Sequence, residues 1–112
     1  MKKTKFISRS EEYLLLAVWR LKDEAYGVTI RDQLTASTGE TWAFGAIFVM
    51  LNRLEKKGML TSQLSDPTPQ RGGKGKRYYS LTNKGLLTLH EIKKVQQSVW
   101  AGIEKIPHPE KP

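Results

Sequence analysis

Between Ser65 and Leu81 the sequence places Arg71, Lys74, Lys76 and Arg77 around Gly72, Gly73 and Gly75, with no acid after Asp66. Cations on a glycine-rich segment can approach a polyanion closely, and each can neutralise one phosphate. A second group, Asn52, Arg53 and Lys56, recurs with Ala46 and Val49 at short helical steps, so that these residues share one helix face. An amide and two cations there can meet base edges or, late on a helix, backbone phosphates. Phe44, Ala46 and Val49, nearer the start, can touch thymine methyl groups or simply pack, and Phe48 lies among them. Gln33, on the segment before, offers an amide to a phosphate. The alternative for the four loop cations is a solvated, disordered loop kept soluble by its charge. Other chemistry lacks its residues. There is no cysteine, and the two histidines, His90 and His108, are too few for a zinc or imidazole-base constellation. No catalytic pair of acids and no nucleophile beside a base stands out, and Gly72-Gly73-Lys74-Gly75 lacks the spacing and following helix of a P-loop. The reading is a non-enzymatic chain with no cofactor and no metal.

The elements that must carry these groups follow from capping and periodicity. Ser8, with Glu11 three residues on, starts a helix running to about Lys22. It carries Tyr13, Leu14, Leu15, Leu16, Ala17, Val18, Trp19 and Leu21 and is apolar nearly all round, whereas covering one core needs only a stripe. Two faces must be buried, one against its own domain and the other against a second subunit, to which Leu15, Val18 and Trp19 are assigned. Trp19 and Trp42 also read as core groups. A short second helix spans Val28 to Thr38 and stops at Gly39. A third runs from Ala43 or Phe44 to Lys57, with Ile47, Met50, Leu51 and Leu54 inward and Gly58 closing it.

Strand-like runs at Met59–Leu64 and Lys76–Leu81 make a hairpin whose long tip holds the basic cluster, beyond the usual hairpin loop of about 2 to 5 residues. One of Tyr78 and Tyr79 must face the core, because strand side chains alternate. Thr82 caps a last helix from Asn83 to about Ile103. Its stripe of Leu86, Leu89, Ile92, Val95, Val99, Trp100 and Ile103 is longer than a three-helix core can cover, so Leu89, Ile92, Val95, Val99, Trp100 and Ile103 are assigned to a dimer interface. His90 reads as an exposed helix residue. The expected units are a winged-helix DNA-binding domain over 1–82, a C-terminal dimerisation helix over 83–106 and a disordered tail over 107–112.

The whole composition agrees with a polyanionic partner. The chain has 112 residues, 19 Lys and Arg against 11 Asp and Glu, and a net charge of +8. That size fits one small domain, and a small core gains from a partner chain. The longest apolar run, Tyr13 to Trp19, is far short of the roughly 20 residues that cross a bilayer. The lysine-rich start is not followed by a signal-type apolar core, which reads as a soluble, cytoplasmic protein.

Helix, helix, helix and basic hairpin in that order make a helix-turn-helix extended by a wing, mainly α with a minor β part. The runs Glu12-Tyr13-Leu14-Leu15-Leu16-Ala17-Val18-Trp19-Arg20-Leu21, Ala25-Tyr26-Gly27-Val28-Thr29-Ile30, Trp42-Ala43-Phe44-Gly45-Ala46-Ile47-Phe48, Leu51-Asn52-Arg53-Leu54-Glu55-Lys56-Lys57-Gly58 and Arg77-Tyr78-Tyr79-Ser80-Leu81-Thr82-Asn83-Lys84-Gly85 resemble the PadR family of bacterial transcription regulators. The resemblance implies a homodimer joined through the C-terminal helix, which packs against the first and last helices of its partner. It implies binding of double-stranded DNA at a pseudo-palindromic operator, usually with repression. It also implies a planar aromatic small-molecule effector beside a tryptophan of the last helix, here Trp100, for which dimer core is the competing role. The sequence departs from the family where Phe48 replaces a tyrosine hydroxyl and where Ala43 replaces a hydroxyl cap, so the third helix is expected to be capped from Thr41. The other function class open to these residues is a non-catalytic adaptor that holds a protein or RNA partner on its basic hairpin.

Overall fold

The computed structural model describes residues 7–65, 75–103 and 105–110. Helix α1 (Arg9–Leu21) leads through a 3-10 turn (Lys22–Glu24) to α2 (Gly27–Thr38) and α3 (Phe44–Lys56). Strands β1 (Leu60–Leu64) and β2 (Arg77–Leu81) follow, and α4 (Asn83–Trp100) closes the order. The helix ends follow local chemistry. Glu11 N–H donates to Ser8 Oγ at 3.1 Å while Ser8 N–H donates to Glu11 Oε1 at 2.9 Å, a reciprocal box that satisfies two free donors of α1. At the end of α2, Gly39 adopts φ 76°, a left-handed conformation that costs glycine little, and Gly58 does the same after α3 at φ 79°. Thr82 accepts from Gly85 N–H at 3.1 Å and starts α4. The expected cap of α3 at Thr41 is not used: its N-cap is Ala43, with no side-chain hydrogen bond, because the helix begins two residues further on.

The core lies where α1, α2 and α3 cross above the strands. Leu14, Leu15, Ala17 and Val18 of α1 meet Ile30 and Leu34 of α2, Ile47, Leu51 and Leu54 of α3, and Met59, Leu60 and Tyr79 of the hairpin. This corrects part of the sequence reading. Leu15 and Val18, assigned to a partner subunit, are 0% and 2% exposed inside the protomer's own core, so no second chain can reach them. Trp19, read also as core, is 50% exposed; on α1 the outward apolar side chains are Tyr13, Leu16 and Trp19. Trp42 packs at the core's edge and donates its indole N–H to Thr38 Oγ1 at 3.0 Å.

The strands pair antiparallel from Leu60↔Leu81 to Leu64↔Arg77. Tyr79 is buried and Tyr78 half-buried, as alternation requires, and Tyr79 N–H donates to the Ala25 carbonyl at 2.8 Å, which ties β2 to the turn before α2. Helix α4 stops at Trp100, short of Ile103, and only Gly85 and Ile92 on it are buried. His90 is exposed. Residues 107–110 carry no regular structure and are exposed. The result is a mostly helical winged helix followed by a lightly covered fourth helix.

Candidate nucleic-acid interface

Helix α3 buries Ile47, Met50, Leu51 and Leu54 and turns Phe44, Ala46, Phe48, Val49, Asn52, Arg53 and Lys56 outward. The outward row therefore matches the face expected from periodicity. Around its first turns an aromatic strip connects three elements. The Phe44 and Phe48 rings lie 6.1 Å apart at 22°, and the Arg31 guanidinium of α2 sits 4.3 Å above Phe44. Phe48 rests against Gly27, where an added Cβ would lie 3.2 Å from Phe48 Cζ. One residue earlier, Tyr26 meets Tyr78 of β2 edge-on at 5.3 Å, and the Lys76 ammonium lies 4.1 Å over the Tyr26 ring. Cations held over aromatic faces keep fixed positions at a modest energetic gain. The strip thus places Arg31 and Lys76 beside the exposed start of α3.

The far half of α3 is tied down differently. Arg77 donates through Nη1 to Ser62 Oγ at 3.0 Å, and Ser62 donates to Glu55 Oε2 at 2.7 Å, so the hairpin grips α3 through a polar relay. Burial, and then the Glu55 carboxylate, push the Tyr79 phenol above its usual range, with Arg77 opposing them. Arg53 is engaged elsewhere. Its Nη1 lies 3.5 Å from Glu11 Oε2, and Lys57 Nζ lies 3.8 Å from the same atom. Glu11 itself is 3% exposed. Burial, the largest influence, works to raise its pKa. The Ser8 backbone N–H, Lys57, the Ser8 side chain and Arg53 together outweigh that, and the carboxyl is held below the ordinary glutamate range.

Among the residues expected to touch DNA, the structure gathers Phe44, Ala46, Phe48, Val49, Asn52, Arg53 and Lys56 on one exposed helix face, ties Arg77 to that helix through Ser62 and Glu55, and sets Lys76 over Tyr26. Arg71 and Lys74 lie outside the described residues. Gln33 is half-buried, and its amide donates to Ser37 Oγ at 2.9 Å within α2. Sequence reasoning missed the seat of Arg31 on Phe44; Arg31 follows the buried Ile30 and also pairs with Asp32 at 3.2 Å. It also missed the second role of Glu11, an acid set in a helix otherwise apolar nearly all round. Of the residues expected between subunits, Leu15 and Val18 are core, while Trp19, Val99, Trp100 and Ile103 are exposed apolar groups. Leu89 and Val95 are half-buried, and Ile92 is buried within the protomer. Gln96 of α4 donates to the Glu12 carboxylate at 3.3 Å and so holds α4 along α1. An open cleft of about 530 Å³ beside α1 is lined by Tyr13, Leu16, Arg20, Ser37 and Trp42 among others, and Trp100 is not part of it. Among the described residues no helix is long and apolar enough to cross a membrane, and no group of three metal-type ligands gathers.

A family model described as the transcriptional regulator PadR-like family matches residues 15–91. No curated protein matches the chain. Among solved structures, a PadR family transcription regulator from Clostridium difficile R20291 is similar at 31% identity and TM-score 0.60, over 80% of this chain and 88% of that one. A PadR family transcriptional regulator from Eggerthella lenta DSM 2243 shares the fold at 24% identity and TM-score 0.65, over 85% and 80%. A PadR-like transcriptional regulator from Bacillus cereus strain ATCC 14579 does so at 23% identity and TM-score 0.65, over 87% and 93%.

Proposed function

The chain belongs to the PadR-like family of transcriptional regulators, and on that footing we infer that it acts as a homodimeric repressor of a pseudo-palindromic operator. The observation that carries this reading is the exposed outer row of α3, with Arg31 over Phe44 at its start, Lys76 over the neighbouring Tyr26, and Arg77 tied to it through Ser62 and Glu55. One helix fits a major groove of about 12 Å, and cations on a neighbouring hairpin suit the adjacent phosphates. Affinity is then shared among Lys56, Lys76, Arg77 and the two cations outside the described residues, Arg71 and Lys74. Base choice belongs to α3. No catalytic step enters this reading.

The dimer rests on uncovered apolar groups away from α3: Leu16 and Trp19 on α1, Val99 and Trp100 at the end of α4, and Ile103 just beyond it. Residues 83–106 are assigned to subunit joining and 1–82 to DNA. Two recognition helices then stand about 34 Å apart, one turn of B-DNA. A planar aromatic effector, where the operator is ligand-responsive, is assigned to the joint beside Trp100.

The test is a fluorescence-anisotropy titration of the full chain against the duplex upstream of its own coding region and a scrambled duplex of equal length, at two salt concentrations. Preference for the upstream duplex, with a log-log salt slope of about −0.9 per neutralised phosphate, is the expected result. Equal binding of both duplexes removes the operator reading. No binding to either transfers the basic hairpin to a protein or RNA partner.

A further inference from the structure

On the first two turns of α3 the exposed side chains, beside Gly45, are Phe44, Ala46, Phe48 and Val49, and none of them carries a hydrogen-bond donor or acceptor. The first polar side chain on that face is Asn52. In the DNA-binding reading, on which this inference rests, the start of the recognition helix is the part that meets base edges. A major groove identifies a base pair through polar atoms of the bases or through the C5-methyl group of thymine. Side chains without polar atoms leave only the second route. We propose that Phe48 and Val49, backed by Phe44, select the half-site by contact with thymine methyl groups rather than by hydrogen bonds to bases.

The patch is built in advance of any contact. Phe44 touches both Arg31 and Phe48, and Phe48 approaches Gly27 so closely that a Cβ there would make the ring give by a few tenths of an ångström. Preset rings lose little further freedom when they bind. The border argues for DNA over an apolar protein surface: the Arg31 guanidinium, which also pairs with Asp32 at 3.2 Å, lies over Phe44, and Lys76 lies over Tyr26, next to the Gly27 that Phe48 meets, so cations stand beside the apolar centre where phosphates flank a groove floor.

The full chain is used to enrich duplexes from a random pool. Thymines of the enriched half-site are then replaced singly by deoxyuridine, which lacks only the methyl group. Each contacted thymine is expected to lose about fourfold in affinity, the value of one buried methyl. In Val49→Ala, which remains folded because Val49 is 55% exposed, one thymine should lose this sensitivity while the others keep it. An enriched half-site that is indifferent to deoxyuridine, or equally sensitive in Val49→Ala, overturns methyl reading and leaves DNA binding standing. A pool without enrichment, and no duplex binding at all, overturns the regulator reading together with it.

Discussion

Glu11 occupies a position where one carboxylate closes the cap of α1 and anchors the far end of α3. Its Oε1 accepts Ser8 N–H, and its Oε2 faces Arg53 and Lys57. Glu11→Ala leaves that N–H without its acceptor and should cost about 1–3 kcal/mol in urea unfolding. The pH dependence follows from the depressed carboxyl. Because the folded value lies below that of an unfolded glutamate, about 4.3, the stabilisation is complete above that value and disappears as pH falls through the folded one. Thermal melts from about pH 6 down to about pH 3 should therefore show a steeper loss for the parent chain than for Glu11→Gln. Equal slopes would mean that the carboxylate is not coupled to folding. The same pairing changes what Arg53 offers to DNA: a guanidinium engaged with Glu11 contributes less to the salt slope of binding than Lys56, and Arg53→Met should leave that slope nearer the parental value than Lys56→Met does.

Capping and close approach decide the elements. Ala43, the N-cap of α3, offers no side-chain acceptor, so Ala43→Ser should supply one and raise stability by about 1 kcal/mol, read as an increased melting temperature. Thr82→Ala should do the opposite by a similar amount, since its hydroxyl oxygen takes the Gly85 N–H and starts α4. Gly85 constrains the same junction differently. A Cβ there would overlap the Met59 carbonyl oxygen, so Gly85→Ala must push α4 off the hairpin, at a cost of about 1–3 kcal/mol. The junction matters for function because α4 carries the groups assigned to the dimer, while the hairpin carries those assigned to phosphates.

The molecule as a whole is more extended than a self-sufficient domain. Its radius of gyration is 16.9 Å, whereas a compact chain of this length has about 13 Å. Helix α4 buries only Gly85 and Ile92 and leaves Val99 and Trp100 uncovered, and α1 leaves Leu16 and Trp19 uncovered. A second copy that buries these groups would make stability depend on concentration. Val99→Glu should shift sedimentation to the monomer, with helical circular dichroism retained and operator affinity reduced, because Val99 makes no part of the protomer core. A Val99→Glu chain that still sediments as a dimer would move the interface off this surface.

Much of this architecture could be read from neighbouring residues alone. The box of Ser8 and Glu11, the stops at Gly39 and Gly58, the cap at Thr82, the alternation of Tyr78 and Tyr79 and the outer row of α3 all depend on contacts a few positions apart or on a simple period. The inward face of α1 could not be read in that way, since a helix apolar nearly all round has no polar side to orient it. Only packing against α2, α3 and the hairpin decided that Leu15 and Val18 go in and that Leu16 and Trp19 go out. The pairing of Glu11 with Arg53 and the seat of Arg31 on Phe44 were likewise decided by tertiary structure, because each joins side chains on different helices, whose approach depends on how the whole core closes.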